Sequence, residues 1–79
     1  MSYSYRIPPG ATPSVQIGVY DMTGRLVRTL VSDRQAPGAY SVRWNAGSDA
    51  RGDAPPGVYF LRARIGRETH VSRVIRLQN

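Results

Sequence analysis

Val15, Ile17 and Val19 alternate with Gln16, Gly18 and Tyr20, and the chain then turns through Asp21-Met22-Thr23-Gly24 into Arg25. A period of two is that of a strand with one buried face. Asp at the head of such a turn bonds its own backbone two residues on, and Gly takes the positive φ that closes it. Gly57-Val58-Tyr59-Phe60-Leu61 repeats the theme, a glycine entry followed by alternation. No segment sustains a helical period. A chain punctuated in this way is restricted to hairpins and the sheets they build.

Six strands are expected. Tyr3, Tyr5 and Ile7 alternate until Pro8-Pro9-Gly10 stops the first, and Pro13 delays the next. The second covers residues 15–20. The third covers residues 25–31, with Leu26 and Leu30 on one side and Val27 and Val31 on the other, which leaves its buried face open. A polar connection, residues 32–38, ends in the turn signal Pro37-Gly38. Tyr40, Val42 and Trp44 then alternate with Ser41, Arg43 and Asn45 as the clearest one-sided strand. Residues 45–56 read as a loop. Residues 58–65 carry Tyr59, Leu61, Ala63 and Ile65 on one face, with Phe60, Arg62 and Arg64 on the other. Gly66-Arg67 turns the chain into residues 69–77, whose faces are mixed. Val71, Ile75 and Leu77 oppose Val74 there, which invites a bulge or a change of buried face.

Short strands between prolines and glycines make an all-β chain, a small antiparallel β-sandwich of about six to seven strands. A first strand upstream of Tyr3 would complete it. Without that strand an edge is open, and strand addition by a neighbouring copy is expected. No internal repeat or linker appears, so residues 1–79 are taken as one domain.

At 79 residues a domain buries only about 60% of its unfolded surface, which leaves little room for a deep cleft. There is no cysteine, so disulfides, thiolate metal sites and cysteine nucleophiles are excluded together. All eleven basic residues are arginine, against five acids, for a formal charge of +6. Arginine presents a planar fork that meets carboxylate or phosphate in two places at once. Attraction to an anionic partner is one reading of this charge, and ordinary surface solvation is preferred over it. The longest apolar run is a few residues, too short to span a membrane as a helix. Met1-Ser2-Tyr3-Ser4 lacks the charged and apolar regions of a signal peptide, and so abrupt a start suggests a piece of a longer protein.

The ordered set of motifs resembles the immunoglobulin-like C-terminal sorting domain of the type IX secretion system, found on exported proteins of Bacteroidetes and relatives. It is similar also to the related Ig-like domain of the flagellar hook-capping protein. Tyr5-Arg6-Ile7-Pro8 resembles the family's opening, residues 19–25 its strand-and-turn motif, Pro37-Gly38 with residues 41–44 its central stretch, and residues 57–61 its Gly-Val-Tyr strand entry. The likeness runs from about Tyr3 to Leu77. It departs at Pro37, where Ala is frequent, at Tyr40, where a polar residue is usual, and in the last strand, where Arg73 and Arg76 stand in for a lysine pair.

The resemblance implies an Ig-like fold and a non-catalytic sorting and surface-attachment domain, secreted or held at the outer-membrane surface after passage through the periplasm. Its implied partners are the outer-membrane export machinery, a sortase-like peptidase, anionic lipopolysaccharide and a parent cargo domain. The recognition residues would be Tyr20, Asp21, Gly24, Arg25, Gly57, Tyr59, Arg73 and Arg76. Asp21 and Gly24 would build the turn, while Tyr20 and Arg25 are left free to be read. A structural or accessory Ig-like module, hook-capping-like or appended to a carbohydrate-active enzyme, is the alternative. Gly57 and Tyr59 read first as a strand entry and a core aromatic.

Other candidate sites are weaker. Arg51-Gly52-Asp53 spells an adhesion tripeptide, but a short motif in a Gly/Asp/Pro-rich loop arises readily by chance. Asp49 and Asp53 lack the spaced ligand series of a calcium loop. His70 is the single histidine. No G-x-S-x-G elbow accompanies it, so it reads as a surface residue and no enzyme activity is expected. Neither cofactor nor metal is expected. A third reading places an anionic polymer on the face bearing Arg62, Arg64, Arg73 and Arg76 with Phe60. No nucleic-acid signature is present, and nucleic acid is not the expected partner.

Overall fold

The computed structural model describes residues 2–44, 47–48, 52–53 and 55–76. Six long strands form, in chain order β1 (Ser2–Ile7), β2 (Ser14–Asp21), β3 (Leu26–Arg34), β4 (Gly38–Arg43), β7 (Gly57–Ile65) and β8 (Glu68–Arg76). Between β4 and β7 lie the two-residue pieces β5 (Gly47–Ser48) and β6 (Gly52–Asp53), which pair with each other inside the expected loop.

Two antiparallel sheets carry the fold. One has the order β3-β2-β7-β8, and the other pairs β1 with β4. Alternation decides which residues meet between them. Tyr3, Tyr5 and Ile7 of β1 and Tyr40 and Val42 of β4 turn inward, as do Val15, Ile17 and Val19 of β2 and Tyr59, Leu61 and Ala63 of β7. Val15, Val19, Leu61 and Ala63 are wholly removed from solvent. Each aliphatic side chain of Val or Leu size buried in this way contributes about 1.5–3 kcal/mol of transfer free energy. Trp44, just past β4, meets Tyr59 edge-on with ring centroids 5.1 Å apart and joins the two sheets. The result is an all-β, immunoglobulin-like sandwich with two strands facing four.

β3 resolves the face that alternation left open. Its register with β2 steps between Ile17/Gly18 and between Val19/Tyr20, so that Leu30 and Val27 are extra residues with no direct partner. These are β-bulges. Strict alternation could not turn Val27, Leu30 and Val31 to one side, yet all three are half-buried against the core while Leu26 is exposed. The strand also runs to Arg34, beyond the expected end at Val31. Gln35 N–H donating to the Pro13 carbonyl at 3.2 Å closes this end of the hairpin.

β8 corrects a second expectation. Its register with β7 runs unbroken from Gly57↔Arg76 to Ile65↔Glu68, with neither bulge nor change of face. Val74 is the buried residue, and Val71 and Ile75 are exposed on the far side. Leu77 lies outside the described residues. The mixed sequence arises because β8 is an edge strand under a two-stranded partner sheet, so its inward positions Ser72 and His70 need not be apolar.

Candidate functional site

The two segments that stood out in the sequence are hydrogen-bonded neighbours. β2 and β7 pair Val19 with Leu61, Tyr20 with Phe60 and Asp21 with Tyr59. β7 and β8 pair Gly57 with Arg76 and Phe60 with Arg73. The eight predicted recognition residues therefore gather at one end of the four-stranded sheet, where β2 leaves, β7 enters and β8 finishes.

The turn is held by one carboxylate oxygen. Asp21 Oδ1 accepts from Thr23 N–H at 2.9 Å, from the Thr23 hydroxyl at 2.6 Å and from Arg25 N–H at 3.0 Å. Gly24 N–H donates to the Asp21 carbonyl at 3.0 Å, and Asp21 N–H donates to the Arg25 carbonyl at 3.0 Å. Gly24 sits at φ +86°, where an L side chain is strained. The Thr23 hydroxyl first, and then the Arg25 backbone N–H, hold the Asp21 carboxyl below its ordinary value. Arg25 engages this network through its backbone and projects an exposed side chain.

Tyr20 is half-buried. Its ring leans over Gly18, where a Cβ would come within 3.3 Å of Tyr20 Cε1 and 3.1 Å of Leu26 Cδ1. Tyr59 is core, 5% exposed, and its hydroxyl donates to the Pro55 carbonyl.

The arginines divide. Arg62, Arg64 and Arg73 share the outer face of the four-stranded sheet with Phe60. Arg76 pairs with Gly57 in the register that sets Val74 and Ser72 inward, so it lies on the opposite face. Of the four arginines expected to share one face, three do. Residue parity excludes Arg76, since 73 and 76 differ by an odd number. On the outer face a groove of about 310 Å³ runs over Gly18 between Leu26 and Ser32 on one side and Arg62 and Arg64 on the other.

His70 is a surface residue, 4.0 Å from Glu68 across exposed side chains. Among the described residues no group of three or more His, Asp or Glu side chains could hold a metal, and no helix is long and apolar enough to cross a membrane. Asp49 and Arg51 lie outside the described residues, and Gly52 and Asp53 are described only as backbone.

Two strand entries repeat one another in sequence and in geometry. Pro37-Gly38-Ala39-Tyr40 and Pro56-Gly57-Val58-Tyr59 share a Pro-Gly-x-Tyr pattern. Each glycine has a φ beyond +150°, at +151° and +155°. Each tyrosine hydroxyl donates to the carbonyl four residues upstream, Ala36 and Pro55.

Fold and site together define an Ig-like β-module of the structural or accessory kind. A family model, FlgD Ig-like domain, matches residues 4–67, and the chain belongs to that family, related to the flagellar hook-capping protein. Neither a curated protein nor a solved structure matches.

Proposed function

We propose that this Ig-like module serves as the C-terminal sorting domain of a larger exported protein, read by the outer-membrane machinery of type IX secretion. The supporting observation is the register of β2, β7 and β8. It joins the Asp21–Arg25 turn, the Gly57–Tyr59 strand entry and Arg73 and Arg76 into one continuous sheet end. A receptor can meet such an end without asking the domain to change shape, because Asp21 already fixes the turn. In this reading the module has no reaction of its own. Its cargo passes the periplasm, and a sortase-like peptidase then removes the domain as cargo joins anionic lipopolysaccharide at the outer surface.

The test is fusion of residues 3–79 to a periplasmic reporter in a type IX-competent host. Export of the reporter is expected, with loss of export on Arg25→Ala while the domain stays folded. A folded fusion retained in the periplasm would sink the sorting role and leave the structural module.

A further inference from the structure

We propose that the outer face of the β3-β2-β7-β8 sheet binds a carboxylated polysaccharide, seated in the groove over Gly18. This goes beyond the sorting role and does not depend on it. The first ground is charge segregation. Arg34, Arg62, Arg64 and Arg73 register on this face, opposite Ser14, Gly18, Gln16 and Phe60 respectively. The described carboxylates of the sheet, Asp21, Asp33 and Glu68, register with Tyr59, Val15 and Ile65 on the other. Among the described residues Arg62, Arg64 and Arg73 make no ion pair. Arg28 and Arg76 register on that other face beside the acids, so the outer face is the one whose charges are all positive.

The second ground is the groove's chemistry. Arg62 and Arg64 are two residues apart on one strand, on the order of 7 Å, and both stand on the same wall. Guanidinium forks recognise planar carboxylates in two places, which a lysine face would not do. The other wall and ends carry Ser32 and Gln16, hydrogen-bonding groups suited to sugar hydroxyls. Tyr20 and Leu26 lie across Gly18 as a low apolar surface for the C–H face of a sugar ring. The volume, about 310 Å³, is at the lower end of the roughly 300–1,000 Å³ of small-ligand sites. A single-stranded nucleic acid would need open aromatic platforms for its bases. Tyr20 and Phe60 are both half-buried instead, and the groove's polar lining is hydroxyl, amide and guanidinium.

The experiment is titration of the folded chain with oligogalacturonate, beside neutral dextran, oligo-deoxythymidine and poly-glutamate, at two salt concentrations. Oligogalacturonate is expected to bind and to weaken with salt, with dextran inert and the other two polyanions weaker. Arg62→Gln with Arg64→Gln should weaken binding by about ten- to a hundredfold, from the worth of charged hydrogen bonds. Arg6→Gln with Arg43→Gln, the same charge change on the other sheet, should leave it within about twofold. Equal losses in both pairs would mean diffuse attraction and overturn the site. Tighter binding of oligo-deoxythymidine or poly-glutamate would overturn the ligand class. No binding of oligogalacturonate would overturn the proposal outright. Export of the reporter fusion by the Arg62/Arg64 variant keeps this outcome separate from the sorting role.

Discussion

The phenolic hydroxyl of Tyr59 donates to the carbonyl of Pro55, four residues upstream. Its ring meanwhile packs edge-on against Trp44 in the core. One side chain thus fills the core and ties the entry of β7 to the connection before it. Tyr40 repeats the bond on the Ala36 carbonyl at 2.5 Å, at the entry of β4. The arrangement is that of the tyrosine corner in immunoglobulin-like sandwiches, where a phenol near a strand start anchors upstream backbone. Here it appears in both sheets, each time after Pro-Gly.

Tyr59→Phe should keep the ring and lose the bond, at a cost of about 1 kcal/mol. Tyr59→Ala should cost about 3–5 kcal/mol, because a cavity opens beside Trp44. Urea denaturation followed by Trp44 fluorescence reads both. Equal midpoints for Tyr59→Phe and the native chain would mean that the Pro55 bond adds nothing.

Gly24 offers a test of backbone strain free of steric conflict. A Cβ there would meet nothing within 4 Å, yet φ is +86°. Gly24→Ala should therefore cost about 1–2 kcal/mol from the left-handed conformation alone. For a domain of this size that is a fall of roughly 4–8 °C in melting temperature per kcal/mol. An unchanged melting temperature would show that the turn relaxes to another form without penalty.

Asp21 gives the fold an acid-sensitive element. Its carboxyl is held below the ordinary value by the Thr23 hydroxyl and the Arg25 N–H. A folded-state value below the unfolded one means that the ionised form stabilises the fold. That contribution is complete above the unfolded value, about 3.9, and is lost as pH falls through the depressed folded value. Asp21→Asn should lower stability at pH 7 and flatten its decline in acid. Parallel acid-denaturation curves for the two proteins would contradict the assignment.

Strand existence was legible because β1, β2, β4 and β7 obey strict alternation. Tyr3/Tyr5/Ile7, Val15/Ile17/Val19, Tyr40/Val42/Trp44 and Tyr59/Leu61/Ala63 all turn inward as their period requires. β3 was not legible in its faces. A bulge adds a residue without any mark in composition, and only the register with β2 shows that Val27 and Leu30 are the additions. β8 misled for the opposite reason. An edge strand with one sparsely covered face can carry Val71 and Ile75 outward and Ser72 and His70 inward, so apolarity no longer marks the core. At the site, Asp21 and Gly24 could be read locally because turn geometry is local. That Tyr20 meets Phe60 is a fact of long-range pairing, whereas Arg76 parts from Arg73 by their odd separation once β8 runs without a bulge.

Tyr5 makes the opposite pH prediction to Asp21. Its ring stacks between Tyr3 and Tyr40, at centroid distances of 6.0 and 5.4 Å. Its hydroxyl donates to Gln35 Oε1. Burial pushes the phenol above its ordinary value, and the neighbouring phenols Tyr40 and Tyr3 add to the rise. The folded state thus favours the neutral phenol more than the unfolded chain does. Its contribution is whole below the unfolded value, about 10, and is lost as pH rises through the folded one. Tyr5→Phe gives up the Gln35 bond, about 1 kcal/mol at neutral pH, but has no phenol to ionise. Between about pH 10 and 12 its stability should fall less steeply than that of the native chain, and the two curves should converge. The difference between the curves isolates Tyr5 from the other tyrosines, which titrate in both proteins. A constant difference across that range, measured by urea midpoints at fixed ionic strength, would mean that the stacked phenol ionises as freely in the fold as outside it.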